Sequence, residues 1–258
     1  MLPMAKVIAV TNQKGGVGKT TTSINLAASL VKTRRRVLLV DIDPQGNATM
    51  GSGLSKDELD TTIYQVLLGI EPIEKALRKT EGGYDIVPAN SDLAGAEIEL
   101  INLDRRERRL RGALEGMQGN YDYILIDCPP SLNLLTLNAL VATDAVLIPM
   151  QCEYYALEGL SSLVATIQRV RESLNPQLEI GGLLRTMYDP RNGLAAEVSA
   201  QLLKHFGGKL YNTIIPRNIR LAEAPSHGQA VITYDMQSKG AQAYLALAGE
   251  LLRRDEAA

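Results

Sequence analysis

Apolar residues follow two rhythms along this chain. Short, largely β-branched runs stand at Val7–Val10, Val37–Val40, Ile124–Ile126 and Ala145–Ile148; Leu178–Leu184 and Asn212–Ile215 continue the set, and Tyr84–Val87 is a weaker member. Between them the apolar positions recur at helical spacing. Ile24, Ala27, Ala28 and Val31 form one stripe, and Leu160, Leu163, Val164 and Ile167 another. Runs that are apolar at nearly every position suit strands buried on both faces. The alternation therefore predicts right-handed βαβ crossovers and an α/β fold: a mostly parallel, twisted sheet with helices on both faces. No linker-like stretch or repeat interrupts it, so residues 1–258 are expected to form a single domain.

Ligands of such folds sit at the carboxyl ends of the strands. Three chemically loaded segments follow predicted strands here: NQKGGVGKTT after Val7–Val10, DIDPQGN after Val37–Val40, and DCPPS after Ile124–Ile126. The first departs from the usual phosphate loop, G-x-x-x-x-G-K-[ST], because Gln13 stands where the opening glycine belongs. Gly15, Gly16 and Gly18 still let the backbone curl so that successive N–H groups face phosphate oxygens. The helix that starts near Lys19 adds its N-terminal dipole. Lys19 is placed to reach the β- and γ-phosphates, and the Thr20 hydroxyl to ligate Mg²⁺. Asp127 ends an apolar strand and is delivered to the same metal, with Pro129-Pro130 stopping the strand behind it. Asp43 is the candidate for positioning the attacking water, with Pro44 stiffening its loop; Asp41 closes the strand end and supports the metal shell.

These motifs carry a specific resemblance. K-G-G-x-G-K-T with its leading lysine marks the deviant Walker A group of P-loop ATPases. Within it, DIDPQGNAT at 41–49, DCPPS at 127–131, TMYDPR at 186–191 and IPRNIRLAEAPSHG at 215–228 resemble the ParA/Soj chromosome-partitioning ATPases over nearly the whole chain. The resemblance implies a P-loop NTPase fold, ATP and Mg²⁺ as cofactors, and a nucleotide site formed by Lys14, Gly15, Gly16, Val17, Gly18, Lys19, Thr20 and Thr21. It implies that Pro216 and Asn218 contact the adenine base. It also gives Lys14 a task distinct from that of Lys19. In the family the extra lysine crosses the interface of an ATP-sandwiched homodimer to the partner's phosphates, where an added positive charge would stabilise the transferring phosphoryl group.

Composition then bears on what such an ATPase would work on. With net charge −2 the chain is no polycation, so nucleic acid must be held by a local patch. By resemblance Arg191 and Arg220 are the candidates for non-specific double-stranded DNA, with Arg217 able to join them. The densest run, DRRERRLRG at 104–112, reads as a solvated helix face, with Leu100, Leu103, Leu110 and Leu114 as its inward stripe. The same resemblance implies a ParB-like centromere-binding partner that stimulates hydrolysis, and association with the nucleoid. Only about five residues precede the first predicted strand, so no N-terminal helix-turn-helix domain is expected, and with no leader or membrane-length apolar run the expected location is cytoplasmic. A MinD-like membrane switch is the alternative, but the last predicted helix, ending RRDEAA, is Ala-rich and reads as docked on its own core. Cys128, Cys152, His205 and His227 match no metal-ligand spacing, which argues against an Fe–S carrier. No polar constellation of a separate synthetase pocket stands outside the phosphate rim.

Overall fold

The computed structural model describes residues 4–256. Its strands are β1 (Lys6–Val10), β2 (Val37–Asp41), β3 (Arg78–Lys79), β4 (Asp85–Val87), β5 (Tyr123–Asp127), β6 (Ala145–Met150), β7 (Glu179–Tyr188) and β8 (Leu210–Pro216). The helices are α1 (Lys19–Lys32), α2 (Asn47–Gly51), α3 (Ile63–Leu68), α4 (Ile73–Ala76), α5 (Leu93–Leu100), α6 (Arg109–Glu115), α7 (Leu134–Ala142), α8 (Ala156–Ser173), α9 (Gly193–Phe206), α10 (Ile219–Glu223), α11 (Val231–Tyr234) and α12 (Lys239–Glu256). All eight strands share one sheet in the order β3-β4-β2-β5-β1-β6-β7-β8, parallel except for the β3–β4 pair. The α/β expectation therefore holds. The periodicity missed the two-residue edge strand β3 and stopped β7 short of Tyr188.

Side chains alternate across the central strands. Ile8, Val10, Leu39 and Leu125 face a layer built from α1 and α12, where Leu26, Leu30, Tyr244 and Leu247 are buried. Val7, Ala9, Leu38, Val40, Ile124 and Ile126 face the opposite layer, which contains Leu110, Leu114 and Leu135. Because both faces are covered, every residue of β2 and β5 is buried. Each fully buried Leu, Ile or Val side chain contributes roughly 1.5–3 kcal/mol relative to exposure. Thus the continuous apolar runs place β2, β5 and β1 at the centre of the sheet.

That centre positions the chemistry. In register, Val10 and Asp41 both lie beside Asp127, so the segments that follow β1, β2 and β5 emerge side by side at one rim. The final helix docks on the core as expected: Ala241, Tyr244, Ala248 and Leu251 are buried, and the Tyr244 hydroxyl bonds to Thr22 of α1 at 3.1 Å. Ala257 and Ala258 lie outside the described residues. Among those described, no helix is long and apolar enough to cross a membrane. The 100–114 segment departs from expectation. It is two short helices with a break in which Arg105 has φ +52°, not one helix with a basic face. Arg109 donates to the Leu67 carbonyl and Arg106 to that of Ile101, so part of this cluster ties loops down.

Candidate active site

The loop between β1 and α1 is pinned at both shoulders. Asn12 donates to the Pro149 carbonyl of β6 at 2.8 Å and accepts the Lys14 N–H at 3.0 Å. On the other side, the Thr186 hydroxyl of β7 donates to the Val17 carbonyl at 2.7 Å. The chain turns through left-handed conformations at Gly16 (φ +72°), between these anchors, and at Gly18 (φ +88°), just past the second. A side chain there costs roughly 1–2 kcal/mol, so the conformation itself demands glycine. At Gly18 space is not limiting, since a Cβ would only touch Thr186 at 3.8 Å.

From this turn α1 carries three polar side chains inward. Lys19 is only 7% exposed, and its ammonium donates to the Lys14 carbonyl at 3.2 Å. Burial lowers its pKa, while Asp127, Cys128 and Asp43 oppose that shift. The Thr20 and Ser23 hydroxyls donate to the two oxygens of Asp127 at 2.8 and 2.7 Å. Asp127 and Asp41 are both fully buried neighbours in the sheet. Burial pushes both carboxyls up, and the Asp41 charge pushes Asp127 further. A hydroxyl facing a carboxylate in this way is a hard oxygen pair that suits Mg²⁺, which keeps most of its remaining positions for water and phosphate. Thr20 and Asp127 therefore fit the metal role.

An open cleft of about 470 Å³ runs from Thr20 across the rim; Asp127 lies beneath that hydroxyl and is not part of the lining. Gly15, Gly16, Gly18, Lys19, Thr20, Thr21 and Asp43 line one end; Pro216, Arg217 and Asn218 line the other. Asp43 is 7% exposed, and one of its oxygens accepts the Gln45 N–H at 2.9 Å. Asn218 caps α10 by accepting the Arg220 N–H at 3.1 Å, which commits part of its acceptor capacity and leaves its amide N–H₂ for a ligand. A second cavity, about 370 Å³, opens at the opposite edge beside Lys6, Glu179 and Arg254, away from the phosphate loop. Its rim charges pair among themselves, Lys6 with Asp255 and Lys209 with Glu179.

Lys14 and Val17 belong to the loop but do not line the cleft. Val17 is buried and contributes its backbone. The Lys14 ammonium is turned outward into an ion pair with Glu153 at 2.5 Å. Directly after Glu153 stand Tyr154 and Tyr155, 72% and 70% exposed and packed edge to face. Arg191, Arg217 and Arg220 are exposed, but two of them have acidic neighbours: Arg191 forks onto Asp189, and Arg220 pairs with Glu223 and Asp235. Cys128 and Cys152 are buried, with burial pushing both thiols up. Among the described residues, no group of three or more His, Cys, Asp and Glu side chains could hold a metal.

Sequence reasoning missed several members of the site. Ser23 was legible, since it lies one helical turn beyond Thr20 and so faces the same way. Thr186, Met187 and Tyr244 were not, because they come from β7 and α12, distant in sequence and brought close only by the sheet order. The sequence assigned Asp41 to the metal shell. In the structure its oxygens accept three hydrogen bonds from the loop that follows it.

A family model described as an AAA domain matches residues 5–180. The chain is 55% identical over 253 residues to the chromosome partitioning protein ParA of Myxococcus xanthus, covering 98% of this chain and 89% of that one. It is 55% identical over 249 residues to the sporulation initiation inhibitor protein Soj of Bacillus subtilis, covering 96% and 98%. Among solved structures, the cobyrinic acid a,c-diamide synthase of Mycobacterium smegmatis with bound ADP and magnesium superposes with a TM-score of 0.87 at 40% identity, covering 98% and 96%.

Proposed function

The chain belongs to the ParA/Soj family of P-loop partitioning ATPases, and on that premise we propose that it is an ATP-operated DNA clamp for chromosome or plasmid segregation. Residues 1–258 act as one ATPase domain. ATP lies in the rim cleft with its phosphates on the Gly15–Gly18 backbone and Lys19, and its base towards Pro216 and Asn218. Thr20 and Asp127 hold Mg²⁺, which neutralises charge on the phosphates when bound. Asp43 orients the attacking water from the cleft wall.

Lys14 carries the main support for the switch. It sits in the phosphate loop, yet its ammonium lies outside the cleft and is half exposed. A charge placed there serves a second copy better than its own nucleotide. Two protomers clasped across this face would each supply Lys14 to the other's phosphates. The dimer would also bring two sets of Arg191, Arg217 and Arg220 to one duplex. Each phosphate neutralised adds about 0.9 to the logarithmic salt slope, so doubling the set doubles the slope. Such binding reads backbone and not base edges. A ParB-like partner then accelerates hydrolysis and releases the protein.

The synthase name of the 40%-identical structure raises a second reading. An amide synthase drawing nitrogen from glutamine would need an activated thiolate, and here both cysteines are buried with raised pKa values. Retention on random-sequence DNA with ATP, with ADP and without nucleotide, each at two salt concentrations, tests the clamp. ATP-specific, steeply salt-dependent retention is expected. Equal retention without nucleotide, or a monomer in sedimentation of the ATP-loaded, hydrolysis-blocked protein, would refute it.

A further inference from the structure

The loop that carries Asp43 hangs from one buried carboxylate. Asp41 Oδ1 accepts the Asp43 N–H at 3.1 Å, and Asp41 Oδ2 accepts both the N–H and the hydroxyl of Thr49 at 2.8 Å. The Thr49 hydroxyl in turn accepts the Ala89 N–H at 2.9 Å, just beyond β4. Thr49 and Asp41 are both fully buried, so these groups find no compensation from water. Between them, Gly46 turns with φ +58° so close to the Ala89 carbonyl that a Cβ would lie 2.7 Å from it. Residues 41–49 thus form a closed loop clamped at its base and pressed onto residue 89. Asp43 lies in the cleft wall at the open end.

The geometry points to Thr49 as a positioning residue for ATP hydrolysis: its hydroxyl joins the Asp41 carboxylate to the Ala89 amide and thereby fixes the loop from which Asp43 addresses the reacting water. This rests on the reading of Asp43 as the water-orienting group. Thr49 is not among the residues that line the cleft, so its removal should leave nucleotide affinity alone and act on turnover. The three hydrogen bonds to Asp41 tie this carboxylate, although next to Asp127, to the loop that follows it.

The test is Thr49→Val, which keeps the shape and removes the hydroxyl, against Thr49→Ser, which keeps the hydroxyl. ATP and ADP affinity are measured with a fluorescent analogue, and kcat by phosphate release. Thr49→Val should bind both nucleotides within about twofold of wild type while kcat falls by about tenfold or more, and Thr49→Ser should recover most of the rate. In an Asp43→Ala background, Thr49→Val should slow hydrolysis no further, because the hydroxyl acts through Asp43. A wild-type kcat in Thr49→Val, parallel loss of nucleotide affinity, or the same fold loss with and without Asp43 would overturn the assignment. If Asp43→Ala alone hydrolysed at the wild-type rate, the reading of Asp43 would fail first and visibly. Should Thr49→Val not fold, Thr49→Ala takes its place with the same expectations, since it removes the hydroxyl while leaving the carboxylates of Asp41 and Asp127 untouched.

Discussion

If Lys14 must leave its own subunit to serve a partner, Glu153 opposes dimerisation, and the size of that opposition can be worked out. The pair is at 2.5 Å, but the side chains are 44% and 50% exposed. Ion pairs as open as this contribute about 0.2–1 kcal/mol. Two pairs break for each dimer formed, so the penalty is about 0.4–2 kcal/mol, or roughly two- to thirtyfold in dimer dissociation constant at about 1.4 kcal/mol per decade. Given the exposure, the lower half of that range is expected: about two- to sevenfold tighter association for Glu153→Gln. Sedimentation velocity with ATP in an Asp43→Ala background reads the constant without turnover. Raising ionic strength should narrow the gap between the Glu153→Gln variant and its parent, because salt screens exposed pairs. Unchanged or weaker association of Glu153→Gln would show that Lys14 is not restrained by this ion pair. A gain beyond about thirtyfold would exceed what so open a pair can hold.

Three further outcomes follow from the same geometry. Lys19→Ala should lose ATP and ADP binding, and with it DNA retention, while keeping its melting temperature within a few degrees; retained nucleotide in equilibrium dialysis would contradict the phosphate role. Removing Arg191 or Arg220 should lower DNA affinity alike for all sequences and reduce the salt slope by about 0.9 for each phosphate no longer neutralised, read by fluorescence anisotropy across a salt series. Glu250 accepts the Asn212 and Thr213 N–H groups, the Thr213 hydroxyl and Arg254, so Glu250→Gln should cost about 1.5–3 kcal/mol in urea unfolding at neutral pH. Burial alone would raise its carboxyl, but those hydrogen bonds outweigh it and hold the pKa below the ordinary glutamate range. A group depressed on folding stabilises above its unfolded pKa and loses that contribution as pH falls through the folded one. The gap between Glu250→Gln and wild type should therefore be full at neutral pH and close in acid; a gap that widened in acid would refute the sign.

Much of this protein is legible from local order in the chain. Continuous apolar runs announce strands covered on both faces, because only such strands have no solvent side on which to place polar residues. Gly16, Gly18, Lys19 and Thr20 announce a phosphate loop, since left-handed turns and an inward-facing helix start are local properties. Asp127 needed only the strand before it and the prolines after it. For the same reason the 104–112 arginines misled: composition registers their charge but not the left-handed turn at Arg105 that interrupts the helix, nor the carbonyls of Leu67 and Ile101 that two of them bind.

Tertiary structure decided the rest, because it depends on strand order and on interactions that span the chain. Nothing in residues 10–49 reveals that β5 lies between β1 and β2, yet that placement sets Asp41 beside Asp127 and makes immediate neighbours of the three loaded segments that a parallel sheet brings to one rim. Thr186 on the phosphate loop and Glu153 on Lys14 reach across more than a hundred residues, so no spacing rule could encode them. Asp41 shows the division at a single residue. The sequence put a carboxylate at a strand end next to a metal site; only the folded loop, returning Thr49 to it, determined that three hydrogen bonds from that loop engage it.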